Sequence, residues 1–300
     1  MRDVKSPIPL FIPIIVGIIA ISFSPILVRW SHAPASVQAM YRLLITVLLM
    51  LPFGGRYFGT MKSISRKNWL LLLVAGFFLA LHFLLWMSSL LYTTVASSTI
   101  LMALEPMFVM VGAFFLFKER TTPFAIAAMG VAIIGAVLIG WGDIGVSAEN
   151  VYGDVLSILG TLAMAFNMLA AQQLLTRISS YVYSLLVFII AGAFFAVYNF
   201  LMGIPMFNYP LEEWGVFLLL AIVPTVFGHI LFNWLLQFTN GTTISMCVLG
   251  EPIGASILAA ALFGEMLSFS QMTGGVFVVV GLYLFLRTNR VSYEVNSSTA

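Results

Sequence analysis

The chain has 300 residues, of which 61% are hydrophobic and only 8% charged, and 13 Lys and Arg against 11 Asp and Glu leave a formal net charge of +2. A soluble globular domain is about half apolar, so this composition, with a mean hydropathy of +1.08, excludes one and describes an all-α polytopic membrane protein; no nucleic-acid partner is expected. Cys247 is the only cysteine, which excludes an intrachain disulfide and a cysteine metal cluster.

A crossing helix needs about 20 mostly apolar residues to span a hydrocarbon core of roughly 30 Å. Ten stretches of that kind follow one another, at 10–29, 35–53, 69–90, 94–117, 123–141, 153–175, 181–203, 213–237, 241–263 and 271–287. The first follows Arg2 and Lys5 and precedes Ala33-Pro34-Ala35, as a secretory signal would, but its apolar run exceeds the 7 to 15 residues of a signal core and is read as a helix. Arg42 stands about seven residues into the second stretch, roughly 10 Å deep at about 1.5 Å per residue. It could snorkel to the surface, pair with a buried carboxylate, or bind a substrate carboxylate.

The third stretch carries His82 and Trp86 at i, i+4, with Ser89 and Thr93 continuing that face. Trp86 could stack on an aromatic or cationic solute while His82 supplies a hydrogen bond; interhelical packing of satisfied polar groups is the competing reading. The fourth holds Glu105-Pro106. A charged glutamate exposed to lipid costs about 2.5 to 3.5 kcal/mol on insertion scales, so Glu105 should face the bundle interior, pair, or stay protonated. Pro106 has no amide hydrogen and frees the carbonyl of Met102, so a kink is expected there. Helical spacing puts Ser98, Leu101, Glu105, Phe108 and Gly112 on one face.

Glu119 lies at a boundary beside Thr122-Pro123, an N-cap followed by proline at the first helical position, and is read as structural, like Glu265 near the Ser268 and Gln271 capping pattern. Gly130, Gly135, Gly274, Gly275 and Gly281 in the fifth and tenth stretches are read as close-packing positions. Between the halves, Gly140-Trp141-Gly142-Asp143 matches the Gly-x-Gly-Asp of intramembrane aspartyl proteases, with Asp154 as the nearby second carboxylate. Both aspartates fall at helix ends around the 142–152 linker, which leaves a protease as a remote alternative, and no phosphate-binding loop or zinc-protease spacing is present. The eighth stretch repeats the polar pattern of the third with His229, Asn233 and Gln237. The ninth repeats the fourth with Glu251-Pro252, and Pro252 frees the carbonyl of Val248. Two histidines in ten stretches do not make a zinc site, and neither metal nor cofactor is expected.

Glu105 and Glu251 are 146 residues apart, and so are Glu119 and Glu265, and Gly135 and Gly281; His82 and His229 are 147 apart. The chain is therefore a duplication of five helices, 10–141 and 153–287, with a tail at 288–300. Five is odd, so the second copy enters the membrane from the opposite side, which predicts ten transmembrane helices as two inverted five-helix repeats with the Glu-Pro pairs meeting near the midplane, where such folds hold substrate.

The stretches "LHFLLWMSSLLYTTVASSTILMALEPMFVMVGAFFLFKE" (81–119), "YRLLITVLLMLP" (41–52) and "HILFNWLLQFTNGTTISMCVLGEPIGASILAAALFGE" (229–265) resemble the two EamA repeats of the drug/metabolite transporter superfamily. The resemblance implies a central cavity lined by helices 1 to 4 and 6 to 9, with helices 5 and 10 outside it. It also implies a secondary transporter of small metabolites, which in bacteria mostly move outward; amino acids, aromatic compounds, choline-like cations and nucleosides are among those carried by family members. The expectation is export of an amino acid, aromatic or related amphiphilic solute across the inner membrane by alternating access, with import as the alternative. Candidate residues are Glu105, Glu251, His82, Trp86, His229, Asn233 and Arg42, with kinks at Pro106 and Pro252. Glu105 and Glu251 could couple protons, or could tie the two halves together structurally.

With an internal amino terminus and ten crossings, 11 of the 13 Lys and Arg fall inside, only Arg29 and Arg42 being excepted. Positive-inside asymmetry then predicts both termini in the cytoplasm. A reporter active only in the cytoplasm should give signal when fused after Ala300, and a periplasmic one should be silent; the reverse pattern would overturn the orientation.

Overall fold

The computed structural model describes residues 7–93, 95–140, 147–263 and 269–298, and among them every regular element is helical. In chain order these are α1 (Phe11–Ser22, resuming at Ser24–Trp30), α2 (Ala35–Met50), α3 (Arg66–Ser89), α4 (Val95–Met102, then Glu105–Phe117), α5 (Pro123–Gly140), α6 (Ala148–Leu175), α7 (Ser180–Leu201), α8 (running from Leu211 to Leu235), α9 (Gly241–Val248, then Glu251–Phe263) and α10 (Phe269–Ser298). Eight of them are long and apolar enough to cross a membrane, the exceptions being the broken α4 and the shorter α5.

Local chemistry sets the ends. Side-chain oxygens of Ser65, Ser147, Ser179 and Asn240 accept from backbone amides at the starts of α3, α6, α7 and α9, meeting donors that the first helical turn leaves unpaired. The Ser147 cap begins α6 at Ala148, so residues 148–152, read as linker, are helical. At the far end α10 continues through the expected tail to Ser298. The Thr122 cap is formed, its Oγ1 accepting from Ala125 N at 3.2 Å. Glu265, Ser268 and the Trp141 to Asp143 part of the protease-like motif lie outside the described residues.

The two Glu-Pro sites do more than kink. α4 stops at Met102 and restarts at Glu105, and α9 stops at Val248 and restarts at Glu251, each across a two-residue turn. Pro106 and Pro252 stand in the first turn of the second piece, where a missing amide hydrogen costs nothing. α8 carries a different irregularity: Ala221–Ile230 winds as a π-helix around Pro224, and Thr225 Oγ1 donates to the Leu220 carbonyl at 2.8 Å.

Packing pairs the helices antiparallel across the halves. α3 runs against α6, with Gly160 backed on Trp86 and Asn167 Nδ2 donating to the Ala75 carbonyl at 2.9 Å. α8 runs against α1, with Gly17 on Phe232 and Gly228 on Ile21. α2 pairs with α7, joined by Tyr181 OH to the Met50 carbonyl and Gly192 on Leu44. α5 and α10 stack apart from these, around a smaller core of Ala125, Ala132, Ala136, Val278 and Phe285. Exchanging the first five helices for the last five converts the α3/α6 pair into α8/α1 and leaves the other two pairs unchanged, as a two-repeat architecture requires.

The α5/α10 seam shows which glycines are needed. A Cβ on Gly281 would lie 2.5 Å from the Ala132 amide nitrogen, and one on Gly135 would lie 2.6 Å from the Gly274 carbonyl oxygen, so these backbones touch. Gly130 has nothing within 4 Å and Gly275 meets only Ile253 at 4.0 Å, which corrects their reading as close-packing positions. Gly281→Ala should therefore lower stability by about 1–3 kcal/mol, the usual cost of overpacking, while Gly130→Ala, which meets no neighbour in a helical backbone, should keep or slightly raise the thermal unfolding midpoint of the purified protein.

Candidate substrate site

Both helix breaks open onto one buried cavity. Its wall combines Ile21 and Ser24 of α1, His82, Phe83 and Trp86 of α3, Met102 and Glu105 of α4, Met164, Asn167 and Met168 of α6, His229, Phe232 and Asn233 of α8, and Ile244, Val248 and Glu251 of α9. Six of the seven candidate residues thus share a wall. The seventh, Arg42, stands directly behind it. α2 reaches the site through Arg42, and α7 through Ser184 and Tyr183, whose oxygens accept from Asn233 Nδ2 at 3.0 Å and from Asn167 Nδ2 at 3.3 Å.

Arg42 is fully buried and does not snorkel. It is held by hydroxyls rather than by a carboxylate: Nε donates to Thr225 Oγ1 at 2.6 Å and Nη1 to Ser24 Oγ at 3.1 Å. Its guanidinium carbon lies 4.4 Å from the Phe83 ring centroid, a cation–π geometry. The remaining nitrogen, Nη2, is buried with no protein partner. The π-helix gives Thr225 its place, since the widened turn at Pro224 brings Thr225 to α2, where Thr46 Oγ1 also reaches the Ala221 carbonyl at 3.3 Å.

Phe83 is the hub of the aromatic side. His229 meets it edge-on with centroids 5.3 Å apart, and His82 lies 5.1 Å away. His82 also lies parallel to Trp86, at 6.0 Å and an interplanar angle of 5°, and its Nδ1 donates to the Gly160 carbonyl at 2.9 Å, which leaves Nε2 of the neutral ring as an acceptor. Trp86 Nε1 and Glu105 Oε1, like Arg42 Nη2, are buried without a protein partner. Glu251 is held at its backbone, where Ser22 Oγ donates to its carbonyl at 3.4 Å while Gly254 lets α1 approach. The face expected on α4 is used for packing at both ends: Ser98 exchanges hydrogen bonds with Ser157 of α6, and Gly112 abuts Leu169.

Sequence reasoning missed Ser24, Phe83, Asn167 and Thr225. Ser24 and Thr225 are small hydroxyls in apolar runs and carry no signal until Arg42 is known to stand between them. Asn167 could have been found as the one amide inside the apolar run 162–171 of α6. The cavity is small, with about 40 Å³ of space, enough for a few waters and far below the roughly 300–1,000 Å³ of an organic-ligand site.

Two stretches, 9–141 and 151–287, match the EamA-like transporter family. The chain belongs to that family. It is 27% identical over 255 residues to an uncharacterized transporter of Archaeoglobus fulgidus, covering 82% of this chain and 86% of that one. It is 22% identical over 222 residues to an uncharacterized transporter of Clostridium kluyveri, covering 70% of each. A solved crystal structure aligns with a TM-score of 0.76 over 94% of this chain and 98% of that chain at 16% identity, a likeness of fold. This EamA-like protein is a multi-pass membrane transporter of the drug/metabolite superfamily, with a small-molecule substrate.

The two ends of the transporter differ. At one end polar ties close the bundle: Arg29 donates to the Thr93 carbonyl at 3.1 Å, Thr93 and Ser97 hydroxyls both donate to Asp154 Oδ1 at 2.8 Å, and Glu213 accepts from Ser31 Oγ and the His32 amide. At the other end a polar vestibule of about 630 Å³ lies between α4, α6 and the α8–α9 turn. There Gln172 donates to Glu119 Oε1 at 2.6 Å and accepts from the Gly241 amide at 2.6 Å, joining α4, α6 and α9. Burial pushes the Glu119 carboxyl above its ordinary range, and the Gln172 bond partly offsets this.

Thr225→Val removes the Arg42 Nε acceptor and keeps the shape, so stability should fall by about 1–3 kcal/mol, the cost of an unpaired buried donor. Thr225→Ser should restore most of it; equal unfolding midpoints for Thr225→Val and wild type would show that this bond contributes nothing.

Proposed function

We propose that this EamA-like transporter exports a small organic metabolite, an amino acid, aromatic or related amphiphilic solute, across the inner membrane by alternating access. In this reading ten helices cross the bilayer as two inverted five-helix repeats, 10–141 and 153–287, and both termini are cytoplasmic. The observation that carries it is the set of unpaired polar atoms around the small central cavity. A buried polar group without a partner costs about 1–3 kcal/mol, and Arg42 Nη2, Trp86 Nε1 and Glu105 Oε1 are all in that condition.

Two donors and an acceptor among Phe83, Phe232 and three methionines complement a solute with an anionic or carbonyl end, an amine or hydroxyl, and an apolar body. The guanidinium suits a carboxylate, and Glu105 and Glu251 suit an ammonium group. The small cavity volume supports a cycle in which solute is admitted only as the halves rock. With the termini inside, the vestibule faces the cytoplasm and the Arg29, Asp154 and Glu213 ties face outward, the arrangement of a carrier waiting to load from the cell.

A carboxyl in such a site must be paired or protonated, which makes Glu105 and Glu251 the coupling candidates. When the wild-type chain is overproduced, a solute should accumulate in the medium. Glu105→Gln with Glu251→Gln, at matched membrane levels, should reduce that accumulation about tenfold or more, the equivalent of roughly 1.4 kcal/mol or more. Untargeted metabolite profiling of the medium reads this; unchanged export across the pH range would leave the glutamates with a structural role alone.

A further inference from the structure

A second concavity lies outside the central site, on the surface that the membrane covers. It is a groove of about 700 Å³ between α1 and α10, floored by the start of α9, and Ile14, Ile18, Thr243, Leu282 and Tyr283 are among its walls. From Val279 to Leu286 it follows α10 for about 10 Å at roughly 1.5 Å per residue, or two-thirds of one leaflet's hydrocarbon. It adjoins the polar vestibule, because Phe238 and Thr239 line both. Its lining is almost wholly apolar and includes the exposed Tyr283 near the end of α10, and Arg287, one turn further on the same face and also exposed, stands just beyond its last lining residue, Leu286.

That sequence of features, an apolar trench ending in a tyrosine and a cation, matches an amphiphile in depth and in charge. Aromatic rings mark the interface of membrane proteins, and basic positions beside interhelical pockets hold anionic headgroups. We propose that the α1/α10 groove binds one anionic phospholipid of the bilayer, with an acyl chain along Ile14, Ile18 and Leu282 and its phosphate at Arg287. The site uses none of the residues of the central cavity, so it stands or falls independently of the transported solute. Through Phe238 and Thr239 the lipid would brace the turn between α8 and α9, whose first residue, Gly241, is the one that Gln172 holds.

The test uses the full chain in nanodiscs of equal parts phosphatidylglycerol and phosphatidylcholine, released into native mass spectrometry. Wild type should retain phosphatidylglycerol over phosphatidylcholine by about fivefold or more. Arg287→Ala should bring the ratio near one while keeping a bound lipid, and Leu282→Trp, which fills the trench, should lose lipid of both kinds. A phosphatidylglycerol carrying a diazirine in its acyl chain should label 10–18 and 279–286, which keeps the proposal testable should Leu282→Trp fail to fold. Label spread evenly over all exposed helices, a ratio near one for wild type, or a dimer that Leu282→Trp dissociates would each overturn it, the last by making a second copy of the chain the occupant.

Discussion

Lipid offers no hydrogen bonds, so backbone polar groups released by a helix break must be buried in protein. This single constraint organises the molecule. α4 and α9 are each broken immediately before a glutamate and a proline, and broken helices cannot stand at the periphery. They are therefore enclosed: α4 by α6, through Gly112 on Leu169 and Ser98 on Ser157, and α9 by α1, through Gly250 on Ile18 and Gly254 on Ser22. The unbroken, glycine-rich α5 and α10 are left for the outside, where they pack on each other and against the broken α4 and α9, with Ala103, Met246 and Leu249 in their shared core. A cavity at the junction follows, since two halves of a helix separated by a turn cannot fill space as a continuous helix does.

The same constraint explains the polar residues around that cavity. Arg42 can be buried because α8 winds as a π-helix and brings Thr225 to its Nε, while the break in α1 before Pro25 leaves Ser24 at Nη1. Two irregular helices thus hold one cation without neutralising it. The hydroxyls orient the guanidinium, and its Nη2 is left without a protein partner. The ties at the Asp154 end and the Glu119–Gln172–Gly241 chain at the other are likewise hydrogen bonds between helices, of a kind that exchanges at modest cost when helices move.

Much of the fold could be read from composition and spacing because membrane insertion depends on length and hydropathy alone. The ten apolar stretches, the 146-residue offset and the meeting of Glu105 with Glu251 all came from counting, and the prolines announced irregular backbone. Their effect was underestimated, because proline chemistry alone predicts a kink, and a full restart needs the turn that only the tertiary packing of α4 and α9 selects. The extension of α6 back to Ala148 was missed because Glu149 and Asn150 look like a loop, although Ser147 caps them. The helix at 288–298 was missed because its residues are polar, and hydropathy does not report helices outside the bilayer.

What could not be read is which face of each helix looks inward. In a soluble protein the apolar stripe answers that, whereas here both faces are apolar and the stripe disappears. Phe83 illustrates the loss: one residue from His82, it looks like any phenylalanine of a lipid-facing run, yet it is almost completely buried and has Arg42 over its ring. Thr225 is the polar counterpart, for a threonine inside a helix ordinarily turns its hydroxyl back on its own backbone, and this one does so while also accepting from Arg42. In such a chain the informative residues are those that would be costly wherever they pointed. Arg42, Glu105 and Glu251 were found for that reason, and the inexpensive residues that hold and surround them become visible only when the helices are assembled around the charge.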